Sequence, residues 1–468
     1  MRQFIPANLD IDKLLAANPP SFKYHRDNFV HILHLLTEIP ARNKDLRRED
    51  GFVPIHAHTL QKQIRDYNLY LEYLVNTEVL DIDSQYIPGI KSREYRFTEQ
   101  YQSVNKVEQI DKFTLTKNIS KGFERNWCTE KQYPFLSRFF NDDLKIDHSG
   151  ATDYLFQLYK KNCSVGVANS IRKYNYSMLS IEKLKNHEFF FHVDKTVNRL
   201  HTNLTGCKSQ IRNFITYSGM DLVSIDLKNS QPWISTILLD PKFYENWGRP
   251  PYSSSFISNN SSSLFKYNNY TPFLFSSSSS SSHNNSPISL IMIVKNELSL
   301  DTIEKDDVKL YKSKVLDGTL YDYFSQEIFN RHGMKFKDRK AVKAVIFTVL
   351  FSDNRFIGQK EAYSKRLFRE IFPNVYEIFK IIKRSNASDL PVLLQRMESS
   401  LILNHIAYRI SKEQSGLPIF TIHDSVVFPV GYESYVTQVI KEESMRCLGS
   451  NPTLAVEPWS PSSLKLTA

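Results

Sequence analysis

A serine- and asparagine-rich tract in the middle of the chain most limits how it can fold. Residues Ser253 to Ser286 contain 15 Ser and 6 Asn among 34 residues, and Lys266 is the single Lys, Arg, Asp or Glu among them. Such a segment cannot bury enough apolar surface to offset the entropy lost on ordering. We therefore expect residues 253–286 to be a disordered insertion, with the globular structure built from the sequence on either side.

The remaining sequence has the composition of a folded, multidomain protein. The chain has 468 residues, aromatic residues make up 13% of it, and 60 Lys and Arg against 50 Asp and Glu give a net charge of +10. A basic balance of this kind suits an acidic partner such as nucleic acid or a nucleotide, although a soluble basic surface would look the same.

The spacing of the cysteines and the hydropathy of the chain indicate the cellular compartment of the protein. The cysteines have no paired spacing that would indicate a disulfide framework or a cysteine zinc site, so we expect an intracellular protein, nuclear or cytoplasmic. They are Cys128, Cys163, Cys207 and Cys447. The longest uncharged apolar stretches fall far below the ~18 residues of a membrane span, so no membrane partner is expected.

The pattern predicts three regions. Residues 1–101 show helical spacing and then two strand-like runs around Pro88-Gly89, which is typical of a winged helix. The hairpin predicted from these two runs carries three basic residues: Lys91, Arg93 and Arg96. They would either contact phosphates, as in nucleic-acid-binding winged helices, or simply be solvated. Residues 102–188 look helical, and residues 189–468 alternate helices with short strands. The expected fold class is α+β.

A polar tripeptide, His423-Asp424-Ser425, lies between two apolar strand-like runs near the C-terminus. This pattern predicts a tight hairpin with an acid at its turn. Taken alone, a turn-forming Asp explains it. Because an unpaired buried carboxylate is costly, an acid between apolar arms must otherwise be hydrogen-bonded, neutralised or bound to a cation.

A second acid, Asp226, ends an apolar β-rich run that is followed by Ser230, Gln231 and Pro232. Ser230 suits the N-cap of a helix and Pro232 an early helical position. Asp226 could be no more than the end of a strand. Its functional interpretation needs a partner carboxylate, since two acids that share divalent cations can activate a hydroxyl, and Asp424 is the candidate.

A basic and aromatic helix is predicted between these two acids. Four residues recur every four positions and so share one broad helix face: Arg339, Lys343, Phe347 and Phe351. The cations could hold a triphosphate and the aromatics could contact a base or sugar. An amphipathic helix with its Phe residues in the core is the simpler alternative.

The three motifs, in this order, resemble those of the superfamily of family A DNA polymerases and phage-type single-subunit RNA polymerases. Its first motif carries a metal-binding Asp, its second reads Arg-x3-Lys-x3-Phe-x3-Tyr-Gly, and its third reads His-Asp-Glu or His-Asp-Ser. The resemblance spans about residues 189–429 and is strongest to the compact branch that transposons and viruses encode. Here Phe351-Ser352 stands in place of Tyr-Gly.

The resemblance implies a right-hand polymerase fold with a palm sheet, helical fingers and thumb-like helices. It implies that two Mg²⁺ ions, or Mn²⁺ as a substitute, bind Asp226, Asp424 and the carbonyl of Leu227, and that Lys343 acts in catalysis. The implied nucleotide-binding residues are Arg339, Lys343, Phe347, Phe351 and Gln231. The segment around Arg199 is similar to a Thr-Gly-Arg-Leu-Ser motif, so Arg199 and His423 would contact primer or template.

The expected activity is therefore DNA-directed DNA synthesis from nucleoside triphosphates on a primed DNA template, in replication of a mobile element or virus. Gln231 and Phe351 favour deoxynucleotides, because Phe351 has no hydroxyl to hydrogen-bond a ribose. His-Asp-Ser, in contrast, is the third motif of the RNA enzymes. The alternatives are a single-subunit RNA polymerase or primase-like enzyme, and a non-catalytic nucleic-acid-binding replication protein.

Overall fold

The computed structural model describes residues 1–43, 46–85, 87, 92–124, 131–241, 243 and 300–464. The insertion expected at 253–286, the Pro88-Gly89 turn and Lys91 lie outside these residues. The chain forms two compact units. The first unit comprises Met1–His192, His201–Leu222 and Pro458–Ala468, and the second comprises Val193–Leu200 and Val223–Glu457.

Helices and strands alternate along the described residues. The sequence predicts this pattern for residues 189–468, but the region 102–188, expected to be helical, also contains the strands Asn105–Gln109 and Leu144–Ile146. The strands are β1 (Arg2–Pro6), β2 (Val53–Pro54), β3 (Leu80–Asp83), β4 (Glu94–Phe97), β5 (Asn105–Gln109), β6 (Leu144–Ile146), β7 (Phe191–Val193), β8 (Leu200–Thr202), β9 (Ile215–Tyr217), β10 (Met220–Leu227), β11 (Phe420–Ile422), β12 (Ser425–Pro429) and β13 (Leu454–Trp459).

The helices, again in chain order, are α1 (Ile11–Ala17), α2 (Arg26–Arg42), α3 (Ala57–Gln63), α4 (Tyr67–Asn76), α5 (Phe113–Glu124), α6 (Pro134–Ser137), α7 (His148–Ser164), α8 (Ser170–Lys185), α9 (Asn203–Gly206), α10 (Ser209–Arg212), α11 (Ser230–Ser235), α12 (Leu300–Ile303), α13 (Asp306–Leu316), α14 (Leu320–His332), α15 (Arg339–Phe351), α16 (Tyr363–Ile371), α17 (Pro373–Ile382), α18 (Asp389–Ser400), α19 (Tyr408–Glu413) and α20 (Glu433–Leu448). None of the described helices is both long enough and apolar enough to cross a bilayer.

In the first unit, α1 to α4 surround an apolar core that includes Phe29, Leu33 and Leu74. β4 pairs antiparallel with β3 on one side and with β2 on the other, so the predicted strands of residues 79–97 are confirmed. The helical spacing from Leu60 to Leu74 belongs to two helices, because the chain turns at Asp66, which has a φ of 55°.

In the second unit, the strand order is β11-β12-β10, and β13 pairs with β10. Aromatic rings fill the helical core, where the Tyr311 ring lies edge-on to those of Phe368, Phe372 and Phe379. The predicted helix at 390–412 is α18, a π-helical turn at Leu401–Ala407, and α19. The π turn leaves the helical direction intact but changes which side chains share a face.

Candidate active site

Asp226 and Asp424 lie on neighbouring strands of the second unit. β11 and β12 form an antiparallel hairpin in which Ile422 faces Ser425, so His423 and Asp424 make up a two-residue turn. His423 has a φ of 54°, the left-handed backbone that such turns require. β10 lies beside β12 and ends at Leu227, which brings the end of its strand to the hairpin turn.

Two hydrogen bonds hold the turn against the end of β10. The Ser425 hydroxyl donates to Asp226 Oδ1 at 2.7 Å. The backbone N–H of Leu227 donates to the carbonyl oxygen of Asp424 at 3.2 Å. Leu227 is buried, whereas Asp226, His423 and Asp424 are half-buried. The two acids, almost 200 positions apart in the sequence, therefore belong to one local structure.

The Asp424 carboxyl is electrostatically unfavourable in its ionised form. Burial, the neighbouring Glu398 and then Asp226 raise the pKa of Asp424 to about 7, and a hydrogen bond from Ser230 lowers it only in part. Acids that converge in a partly buried place resist ionising together. A bound cation relieves that repulsion, and carboxylate oxygens are the ligands that Mg²⁺ prefers.

Glu398 is a third carboxylate at this site, and sequence analysis did not identify it. It lies on α18, and its side chain is 1% exposed. The Ser230 hydroxyl oxygen is 2.9 Å from both Glu398 Oε2 and Asp424 Oδ2, and Gln231 Nε2 donates to Glu398 Oε2. Arg199 Nη2 donates to the other oxygen, Oε1. Glu398 lies on the helix predicted from the spacing of residues 390–412, and no local pattern there distinguishes it from a surface acid.

Ser230 and Gln231 differ from what their sequence positions suggest. The N-cap of α11 is Asn229, and Ser230 is the first helical residue, so its hydroxyl contacts acids instead of capping the helix. Gln231 is buried, and its Oε1 has no hydrogen-bond partner. Its amide is oriented by Glu398, because an ionised carboxylate can only accept.

The predicted basic and aromatic helix is α15, which begins after Asp338. The Asp338 carboxylate caps it by accepting from the Ala341 N–H at 2.9 Å. Its core face is apolar and consists of Val342, Val345, Ile346, Val349 and Leu350. α15 packs against α18, the helix that carries Glu398.

The motif residues of α15 lie on the other face. Arg339 and Lys343 are exposed, and Phe347 and Phe351 are half-buried. The two Phe rings stack with centroids 5.4 Å apart, and Lys343 Nζ lies 5.1 Å from the Phe347 centroid. Arg339 lies over the Tyr321 ring, with Asp322 3.9 Å away. The helix thus presents two cations followed by an aromatic pair.

A second group of possible metal ligands consists of His405, Glu443 and Cys447, whose ligand atoms lie within 4.8 Å of one another. Arg446 already donates to Glu443 and, at 2.9 Å, contacts His405 Nδ1. Arg409 donates to Glu443 at 3.2 Å. Burial raises the pKa of Cys447 to about 12, so its thiol is protonated. Two arginines therefore pair with Glu443, and one of them also contacts His405.

Comparison with known proteins gives little further information. No protein-family model and no curated protein matches the chain. Among solved structures, the chain is similar to the POL domain of Pol1 from M. smegmatis, in a complex with DNA primer-template and dNTP. The identity is 12% and the TM-score 0.29, over 66% of this chain and 56% of that one. A TM-score of 0.29 is too low to establish a shared fold, so the proposed function rests on the geometry of the site.

Proposed function

We propose that this chain catalyses template-directed nucleotidyl transfer, with Asp226 and Asp424 as the ligands of catalytic divalent cations. The observation that carries the proposal is the convergence of these two acids at the β10 end and the hairpin turn, where Ser425 and Leu227 join them. Their mutual repulsion, seen in the raised pKa of Asp424, is what a cation would relieve.

The donor set fits Mg²⁺ or Mn²⁺, because the two acids supply carboxylate oxygens, and the polymerase resemblance adds the backbone carbonyl of Leu227, the residue after Asp226. Bound there, such ions supply the charge that activates a primer 3′-hydroxyl and stabilises a departing pyrophosphate. The acids of this chain hold that charge in place. Glu398 is already paired with Arg199, so it is not assigned as a ligand.

In this proposal, the exposed face of α15 binds the incoming nucleotide. Arg339 and Lys343 offer several donors to the triphosphate, and Lys343 can give a proton to the leaving pyrophosphate. The stacked pair Phe347 and Phe351 offers a flat apolar surface for the base and sugar. Arg199 and His423 would contact the primer or template, and Gln231 would influence the sugar from its buried position.

The finer parts of the proposal are a right-hand arrangement, with the β10–β12 sheet as its palm and α15 in its fingers, and a winged helix within residues 1–101. We further propose DNA as template and product. Primer extension on a DNA template, with dNTPs and rNTPs in separate reactions, tests this choice. Incorporation of rNTPs alone would identify an RNA polymerase instead.

The main experiment replaces each acid by its amide. Asp226→Asn and Asp424→Asn should each lower the rate of primer extension at least about a thousandfold, because charge developing in the transition state loses its counter-charge. Asp221→Asn is the matched control, since Asp221 lies on the same strand but is exposed. Extension by either active-site variant at the wild-type rate, with a folded protein, would refute the proposal.

A further inference from the structure

Glu398 holds three site residues at once. Its side chain is 1% exposed, and its Oε1 accepts from Arg199 while its Oε2 accepts from Gln231 and contacts the Ser230 hydroxyl. An isolated buried carboxylate is costly, so Glu398 needs these partners. Glu398 therefore connects α18 with α11 and with the segment that carries Arg199.

The Arg199 segment is anchored independently of Glu398. The Asp194 carboxylate accepts from the backbone N–H groups of Thr196, Val197 and Arg199. Arg396, also on α18, donates to the Thr196 carbonyl at 2.6 Å. The backbone of Arg199 is thus fixed on α18 whether or not its side chain is paired. The guanidinium needs an acid nearby, because its side chain is only 23% exposed.

Asp424 is the acid that Arg199 would otherwise approach. Glu398 Oε2 and Asp424 Oδ2 each lie 2.9 Å from the same Ser230 oxygen, so one hydroxyl separates the two carboxylates. Asp194 is already occupied by three backbone donors. A guanidinium that moved past the Ser230 hydroxyl to Asp424 would cancel charge that a metal ion needs.

We infer that Glu398 is a positioning residue that keeps the Arg199 guanidinium away from Asp226 and Asp424, so that both acids stay available to a divalent cation. This inference rests on the proposed function. It assigns to Glu398 a role in metal affinity without direct contact with the metal, and it makes Arg199 an inhibitor of metal binding when Glu398 is replaced by an uncharged residue.

The test measures Mn²⁺ binding to the free protein by electron paramagnetic resonance, without nucleic acid or nucleotide. Glu398→Gln keeps the shape of the side chain but removes its charge, and we expect Mn²⁺ binding to weaken at least about tenfold. Arg199→Gln alone should bind Mn²⁺ about as well as the wild type. The double variant Glu398→Gln/Arg199→Gln should recover Mn²⁺ affinity to within about threefold of the wild type, because the competing cation is gone.

The recovery in the double variant distinguishes positioning from a merely structural role. If Glu398 only stabilised the fold, the double variant would bind Mn²⁺ no better than Glu398→Gln, and the inference would be overturned. Unchanged Mn²⁺ binding by Glu398→Gln would overturn it as well. If Glu398→Gln does not fold, Glu398→Asp replaces it, with a smaller weakening that Arg199→Gln should again relieve.

The same titration separates this inference from the proposed function. Wild-type protein should bind Mn²⁺ more tightly than Asp226→Asn and Asp424→Asn. If these three proteins bind Mn²⁺ equally, the proposed metal site is wrong. If they differ while Glu398→Gln matches the wild type, the metal site stands and only the role of Glu398 is lost.

Discussion

Two half-buried acids, Glu38 in the first unit and Asp424 in the second, have opposite electrostatic surroundings. Glu38 lies on α2, and Lys183 Nζ of α8 contacts its Oε1 at 2.5 Å, with Arg42 Nε 3.4 Å away. Burial would raise the pKa of Glu38, but Arg42 and Lys183 hold it well below its usual value. At Asp424, burial and two neighbouring acids all act in the same direction and raise the pKa to about 7.

The histidine beside Glu38 adds no charge to that cluster. His34 Nδ1 accepts from the Phe4 N–H at 3.0 Å, and burial lowers the pKa of His34 to about 3, so the ring is neutral. The negative charge of Glu38 is therefore compensated within the protein by Lys183 and Arg42. Asp424 has a Ser hydroxyl as its side-chain partner, and the nearby Arg199 is bonded to Glu398.

On the proposed function, this difference separates an acid that serves the fold from one that holds a cation. Removing an acid that is paired with buried cations leaves those cations uncompensated, which is strongly destabilising. An acid that lies among other acids costs stability in the free protein, and strongly perturbed carboxylates of this kind are typical of functional sites. The same substitution, acid to amide, should therefore have opposite effects on stability at the two places.

The largest expected effect is that of Glu38→Gln. Because it leaves Lys183 and Arg42 partly buried without their acid, we expect the free energy of unfolding at pH 7 to fall by about 3–5 kcal/mol. Urea denaturation followed by circular dichroism measures this. Glu377→Gln is the control, since Glu377 pairs with Lys380 on an exposed helix surface and should change stability by less than about 1 kcal/mol. If Glu38→Gln is as stable as Glu377→Gln, the proposed contrast between Glu38 and Asp424 is wrong.

Asp424→Asn should instead stabilise the metal-free protein, by about 1–3 kcal/mol at pH 8. Because the folded-state pKa of Asp424 lies above the unfolded value, the wild type loses stability as pH rises from about 4 to 7. The difference between Asp424→Asn and the wild type should accordingly vanish near pH 4. Thermal unfolding in EDTA across this pH range measures it, and a gain that persists at pH 4 would argue against charge repulsion as its cause.

Lys383 adds to the comparison a buried cation whose hydrogen-bond partners are backbone carbonyls. It is 1% exposed, and its Nζ donates to the carbonyls of Val349 at 2.5 Å and Ser352 at 2.6 Å, at the C-terminal end of α15. Burial and then Lys365 lower the pKa of Lys383 to about 7, although Asp353 opposes the change. Carbonyls at a helix end favour a cation, but less than a carboxylate does.

The smallest expected effect concerns this lysine. Above pH 7 the unfolded chain binds more protons at Lys383 than the folded chain does. The free energy of unfolding of the wild type, measured relative to that of Lys383→Met, should therefore rise by about 1 kcal/mol between pH 7 and pH 8. Denaturation of both proteins at the two pH values measures the difference. Lys380→Met is the control because the Lys380 side chain is 43% exposed and pairs with Glu377, and we expect its profile to follow the wild type at both pH values. Equal pH profiles for Lys383→Met and the control would show that burial does not perturb Lys383.

Local patterns predicted much of the second unit. The alternating apolar residues around His423-Asp424-Ser425 predicted a hairpin, and that hairpin is confirmed with a two-residue turn. Four-residue spacing predicted a helix with two cations and two Phe residues on one broad face, and in α15 the cations are exposed while the Phe rings are half-buried. Ser230 was assigned wrongly, because its predicted role as an N-cap depended on where the turn after Asp226 ends, and Asn229 takes that position.

The sequence by itself determined the secondary structure around both aspartates and the order of the motifs, because hairpin turns and helix faces depend on neighbours within a few residues. Only the tertiary structure decided that Glu398 lies beside Asp424 and pairs with Arg199, and that Glu38 contacts two cations. Burial and charge pairing join residues up to 199 positions apart in the chain, so no local pattern records them.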